Sequence, residues 1–145
     1  MPNATDYTES GVINHLFRTS TFPKPSTIAI ALTTNIPGDN VTIATLAELP
    51  NANNYARANL GAPADSTWSA VSQGAIGSGL SSNSNVINFN QNTGSDWGWV
   101  SGVAILDNAG YGSGAILFTS AITPQLIQVG TTFSFPVGNI ILGAN

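Results

Sequence analysis

Residues 97–107 read Trp97-Gly98-Trp99-Val100-Ser101-Gly102-Val103-Ala104-Ile105-Leu106-Asp107, and this stretch decides the fold. Its residues alternate, with Trp97, Trp99, Ser101, Val103 and Ile105 on one side and Gly98, Val100, Gly102, Ala104 and Leu106 on the other. A period of two belongs to a β-strand. Both sides are fairly apolar, as in a strand covered on both faces. Asp107 then opens the turn Asn108-Ala109-Gly110, where Asp and Asn side chains bond their own backbone.

Outward from this strand the chain keeps the same grammar. Residues 27–34 set Ile28, Ile30 and Leu32 against Ala29 and Ala31, and residues 85–90 set Ile87 and Phe89 against Val86, Asn88 and Asn90. Further strands are expected at 55–60, 115–120, 126–129, 131–135 and 139–142, separated by Gly, Pro and Asn clusters such as 112–114 and 136–138. Short strands at roughly ten-residue spacing imply a mainly β, antiparallel sandwich or barrel. Two segments, 35–54 (with a weak strand at 41–46) and 61–83 (around Trp68), read as long loops. Loops of that length are usually functional or ordered by a partner, so subunit contacts are expected there.

One helix is expected, within an N-terminal arm of residues 1–22. Asp6 and Glu9 have the spacing of a capping pair, and Val12, Ile13, Leu16 and Phe17 form an apolar stripe. Gly11 weakens this helix by about 1 kcal/mol relative to Ala. Phe22-Pro23-Lys24-Pro25 ends it. The whole of 1–145 reads as one domain.

Composition narrows the function. Three Lys and Arg and seven Asp and Glu give a net charge of −4, whereas a soluble domain devotes about a quarter of its residues to charge. The three basic residues are Arg18, Lys24 and Arg57, so nothing after residue 57 is cationic. Such a chain has no cluster to neutralise phosphates or meet an anionic membrane. Its polar surface is built from Asn, Ser, Thr and Gln, which cost less to desolvate than ions and suit permanent packing among other chains. No cysteine is present, which excludes disulfides, thiol catalysis and Cys-ligated zinc. No apolar run approaches the ~18 residues of a transmembrane helix. The first residues carry neither the basic nor the apolar region of a secretory signal, so assembly in a cytoplasm is expected.

Candidate chemistry is sparse, and we expect no enzyme, cofactor or metal. His15 is the only histidine, with neither a second His nor a Cys to share a metal, and reads as structural. The run 74–79 is Gly-rich but lacks the Lys and following helix of a phosphate loop. Asp96 and Asp107 are the obvious carboxylate pair, yet on one strand they stand about 36 Å apart. Trp68, Trp97 and Trp99 with nearby Asn and Asp offer a carbohydrate platform, the third-ranked reading. Trp97 and Trp99 share a face by alternation, which favours core or subunit contact. Arg57, in Tyr55-Ala56-Arg57 within an expected strand, needs a fixed carboxylate, and Glu48 and Asp107 are the candidates for a structural ion pair.

The order of these motifs resembles a family of small bacteriophage virion proteins. The elements that carry the resemblance are the opening helix, Ile30-Ala31-Leu32-Thr33, Tyr55-Ala56-Arg57 followed by Trp68, Asn85-Val86-Ile87-Asn88-Phe89, the 97–107 block, Ile116-Leu117-Phe118, and the run 130–136 before a last strand. The 97–107 block is its most specific part. The resemblance implies a β-sandwich of jelly-roll type and a virion part. That part is first expected to be a capsid decoration (cement) protein bridging neighbouring capsomers, acting as a homo-trimer on the major capsid protein. The alternative is a tail or tail-fibre component that packs on other virion subunits. Either way the chain is made in the host cytoplasm and resides in the virion.

Overall fold

The computed structural model describes residues 2–72 and 79–143. The Gly-rich run 74–79 therefore lies outside the described residues, save for Gly79. The protein is mainly β with antiparallel pairing throughout and one helix. Its principal sheet has five strands: β1 (Asn3–Ala4), β2 (Ile28–Thr33), β3 (Ala58–Gly61), β6 (Gly98–Leu106) and β7 (Ile116–Ile127). Their order is β1-β7-β6-β2-β3. Two further pairs complete the β structure, β4 (Leu80–Ser82) with β9 (Ile141–Gly143) and β5 (Ile87–Gln91) with β8 (Thr132–Phe135).

Alternation explains the layers. Ile28, Ile30 and Leu32 of β2 and Val103 and Ile105 of β6 share one core with Ile87 and Phe89 of β5 and Phe133 and Phe135 of β8. Phe89, Phe133 and Phe135 meet edge to face at centroid distances of 5.0–6.3 Å, the arrangement aromatic quadrupoles favour. Burying each Ile, Leu or Phe of this core contributes about 1.5–3 kcal/mol. The opposite side of the sheet is covered too. Ala31, Ala104, Leu106 and Ile116 form a second, smaller core with Val41, Ile43 and Leu46. The small residues of the alternating pattern are small because the chain crosses closely there: a Cβ on Gly102 would stand 2.6 Å from the Asn35 carbonyl oxygen and 2.7 Å from Thr33 Oγ1.

That cover is the segment 35–54, and it differs from a strand-bearing loop. Residues 41–46 are not a strand; the amides of Thr45 and Leu46 both turn back to the Thr42 carbonyl. The segment then returns beside β2 through a Thr33–Glu48 bridge and buries Leu49 completely. The expected strands at 115–120 and 126–129 are one continuous β7, bulged where residues 122–124 stand across from Ser101. Segment 61–83 also holds more order than a loop: it contains β4, and Trp68 bridges Asn83.

The helix α1 (Asp6–Phe17) is capped one residue earlier than the sequence implied. Thr5, fully buried, accepts from the Thr8 amide at 3.4 Å and donates its hydroxyl to the Ile116 carbonyl. Its own amide reaches the Leu117 carbonyl at 3.0 Å, and the Thr8 hydroxyl reaches the same oxygen at 2.8 Å. The cap is thus also the tether that holds the helix on β7. At the far end the chain doubles back, and the Phe22 ring lies against Gly11 so closely that a Cβ there would be 2.3 Å away. Gly11, a weak helix former, is the residue that admits this ring.

Candidate subunit-contact surface

Arg57 lies just before β3 rather than inside a strand, and it is buried. Its guanidinium meets Glu48 through two parallel bonds, Nε to Oε1 at 2.8 Å and Nη2 to Oε2 at 2.7 Å. Nη1 donates to the carbonyls of Asn108 (3.0 Å) and Ser113 (2.7 Å). Tyr55 completes the cluster, donating its hydroxyl to Glu48 Oε1 at 3.0 Å and accepting from the Leu32 amide at 3.0 Å. Burial above all, then the Glu48 carboxylate, holds the Tyr55 phenol well above its ordinary range. The cluster ties β2, the 35–54 cover and the β6–β7 turn together. Both donors of the bidentate face have carboxylate acceptors, and the two side chains are buried together as a clip.

Asp107 is not part of that clip. Its Oδ1 accepts from the Ala115 amide at 2.7 Å, closing the turn after β6. Asp96, before β6, accepts from the Val129 amide at 2.8 Å. The two carboxylates therefore sit beyond opposite ends of β6, each committed to a loop. His15 accepts the Phe22 amide through Nδ1 at 3.3 Å, which helps fold the 18–22 return along the helix. Among the described residues no three His, Cys, Asp or Glu side chains come together to hold a metal ion. No helix there is long and apolar enough to cross a membrane.

The three tryptophans separate. Trp97 is buried, packs edge to face on Tyr55 at 5.4 Å and donates Nε1–H to the Asn53 carbonyl at 3.0 Å. Trp99 is 61% exposed. The shared face read from alternation fails because Gly98 between them adopts φ +84°, a left-handed conformation that breaks the strand's alternation and that Gly takes at no steric cost. Trp99 stands opposite Leu126 on β7, itself exposed. Trp68 is half-buried against the main core.

What the surface offers is apolar and nearly free of cations. The helix α1 buries none of its residues. Thr8, Gly11 and Asn14 are half-buried on the side facing the body, while Val12, Ile13, Leu16 and Phe17 point outward, Phe17 at 77% exposure. The apolar stripe read from the sequence is therefore the exposed face. With Arg57 sequestered, Arg18 and Lys24 are the exposed cations among the described residues. A cleft of about 580 Å³ lies between the middle of β7 and β8–β9, lined by Phe133 and Phe135 together with Ser120, Thr123, Gln125 and Asn139, and no charged side chain enters it.

A family model described as podophage GP4 fiber I protein gp80 matches residues 3–143, nearly the whole chain. The chain belongs to this family. It is a bacteriophage virion structural protein. No match to the chain was found among curated proteins. The sequence pointed to a small phage virion protein, and the family agrees; of the two virion parts weighed, the fibre alternative is the better supported.

Proposed function

We propose that the chain is a tail-fibre component of the virion, one that works by packing against other subunits and carries no catalytic activity. The observation that carries this reading is the match to the fibre I family over residues 3–143. The surface supports it: Val12, Ile13, Leu16, Phe17, Trp99 and Leu126 are exposed on a chain that carries only ten charged side chains. Apolar area withdrawn from water stabilises a contact by about 25 cal/mol per Å² before ordering costs. Neutral polar groups around it add little desolvation penalty. Contacts repeated along an assembly then reinforce one another through avidity. Glu48, Asp96 and Asp107 are all engaged in internal bonds, which leaves them poorly placed for hydrolysis. The capsid-cement reading, with a trimer seated at a three-fold junction of capsomers, has no comparable support.

Copy number separates the two. Quantitative gel densitometry of purified particles against the major capsid protein is expected to give from a handful to a few dozen copies. Hundreds of copies per particle would overturn the fibre assignment in favour of the capsid.

A further inference from the structure

We propose that the outward face of α1 pairs with the same face of a second copy of this chain, antiparallel and about a two-fold axis. The inference deepens the subunit-packing role proposed above and rests on it. The side of α1 toward the body is marked by half-buried positions 8, 11 and 14, and positions 9, 12, 13, 16 and 17 lie on the opposite, outward side, with exposed 6, 7, 10 and 15 at its flanks. Four of the five positions on the outward side are apolar, and none of the four has a partner within the chain's own core clusters. Spacing of i, i+1, i+4 and i+5 gives one continuous stripe along the helix.

Charge selects the occupant. Asp6 and Glu9 lie in the first turn, and Asp39 adjoins them, its carbonyl accepting the Asp6 amide at 3.0 Å. Arg18 follows the last turn, and Lys24 lies on the return. Those two are the exposed cations among the described residues; Arg18 stands at the helix's C-terminal end, while Lys24 follows Phe22, whose ring packs back on Gly11 and Tyr7. In an antiparallel pair centred on the stripe, each acidic end meets the other copy's basic end. The two helix macrodipoles also oppose, which adds attraction. A parallel arrangement, including a parallel three-fold bundle, stacks Glu9 on Glu9 and Arg18 on Arg18. Like charges at those spacings repel. The same patch on both partners is the self-complementarity that a two-fold contact requires.

The absence of cysteine makes the geometry directly readable. Purified full-length chain is expected to sediment as a dimer. Leu16→Asn, at an exposed position, is expected to weaken that dimer at least tenfold while the dissociated variant keeps the far-UV dichroism of the folded chain. Glu9→Lys and Arg18→Glu should each weaken it, and the two combined should restore it. Under mild oxidation a mixture of Glu9→Cys and Arg18→Cys chains is expected to form the mixed disulfide, and Glu9→Cys alone is not expected to link to itself. A monomeric wild type, or a trimer in which Glu9→Cys links to itself, would overturn the pairing. Either result leaves the particle copy number, and with it the fibre assignment, untouched.

Discussion

Arg57→Met is expected to cost about 3–5 kcal/mol of folding stability, the penalty for stranding one partner of a buried ion pair. The stem of methionine fills the same space, but Glu48 would keep only the Tyr55 hydroxyl as a donor, and the carbonyls of Asn108 and Ser113 would lose theirs. Against a total of about 5–15 kcal/mol for a domain of this kind, that loss leaves the fold marginal. Arg57→Lys is expected to recover only part of it, because an ammonium cannot reproduce the bidentate fork. Removing both charges, Arg57→Met with Glu48→Leu, is expected to cost less than Arg57→Met alone, since no ion is then left unpaired. Urea titration measures all three. A loss under about 0.5 kcal/mol for Arg57→Met, the range of a featureless surface change, would contradict the role assigned to the clip.

Phe89→Ala carries the next largest expected effect, about 3–5 kcal/mol. Phe89 lies on β5, outside the five-stranded sheet, yet it is buried among Phe133, Phe135 and the β2–β6 face. Its ring joins the second layer to the first, so truncation opens a cavity at their junction. Because the layers share one core, fluorescence of buried Trp97 and far-UV dichroism are expected to report a single coincident transition in both proteins. A loss below about 1 kcal/mol, or an early separate transition in the variant, would mean that the β5–β8 pair is an appendage rather than half of the core.

The strands that alternation defines most sharply were legible to within a residue or two. β2 is buried throughout and β6 over its second half, where the 97–107 pattern was read as apolar on both sides; β8 was equally clear. β7 was read as two strands, 115–120 and 126–129, with Pro124 in the gap between them. Its residues 122–124 fall in a bulge, where the missing amide of Pro124 deprives no ladder bond. β1 and β4, two and three residues long, are too short for any periodicity and exist through their pairing with β7 and β9. The cap moved from Asp6 to Thr5 because Thr5 is held by the β7 carbonyls, a contact more than a hundred residues away. No local pattern records such a contact.

The site was legible in part. The isolation of Arg57 in an apolar context pointed to a buried pair, while the choice of Glu48 depended on how 35–54 folds back. The helix stripe was legible as a pattern, while the side it faces was not. Amphipathic spacing normally marks the buried face, but here Thr8, Gly11 and Asn14 face the body. Hydrogen bonds from Thr8 and the Phe22 ring against Gly11 hold that side. An apolar stripe left outside on a chain this poor in charge is the physical trace of an assembly. The charge deficit announced the same thing without locating it.

The most direct test of the fibre assignment is to see the protein on the particle. Antibody raised against the purified chain, carried on gold and imaged on intact virions by electron microscopy, is expected to decorate the fibres and leave the head bare. Gold distributed over the capsid surface would contradict the account.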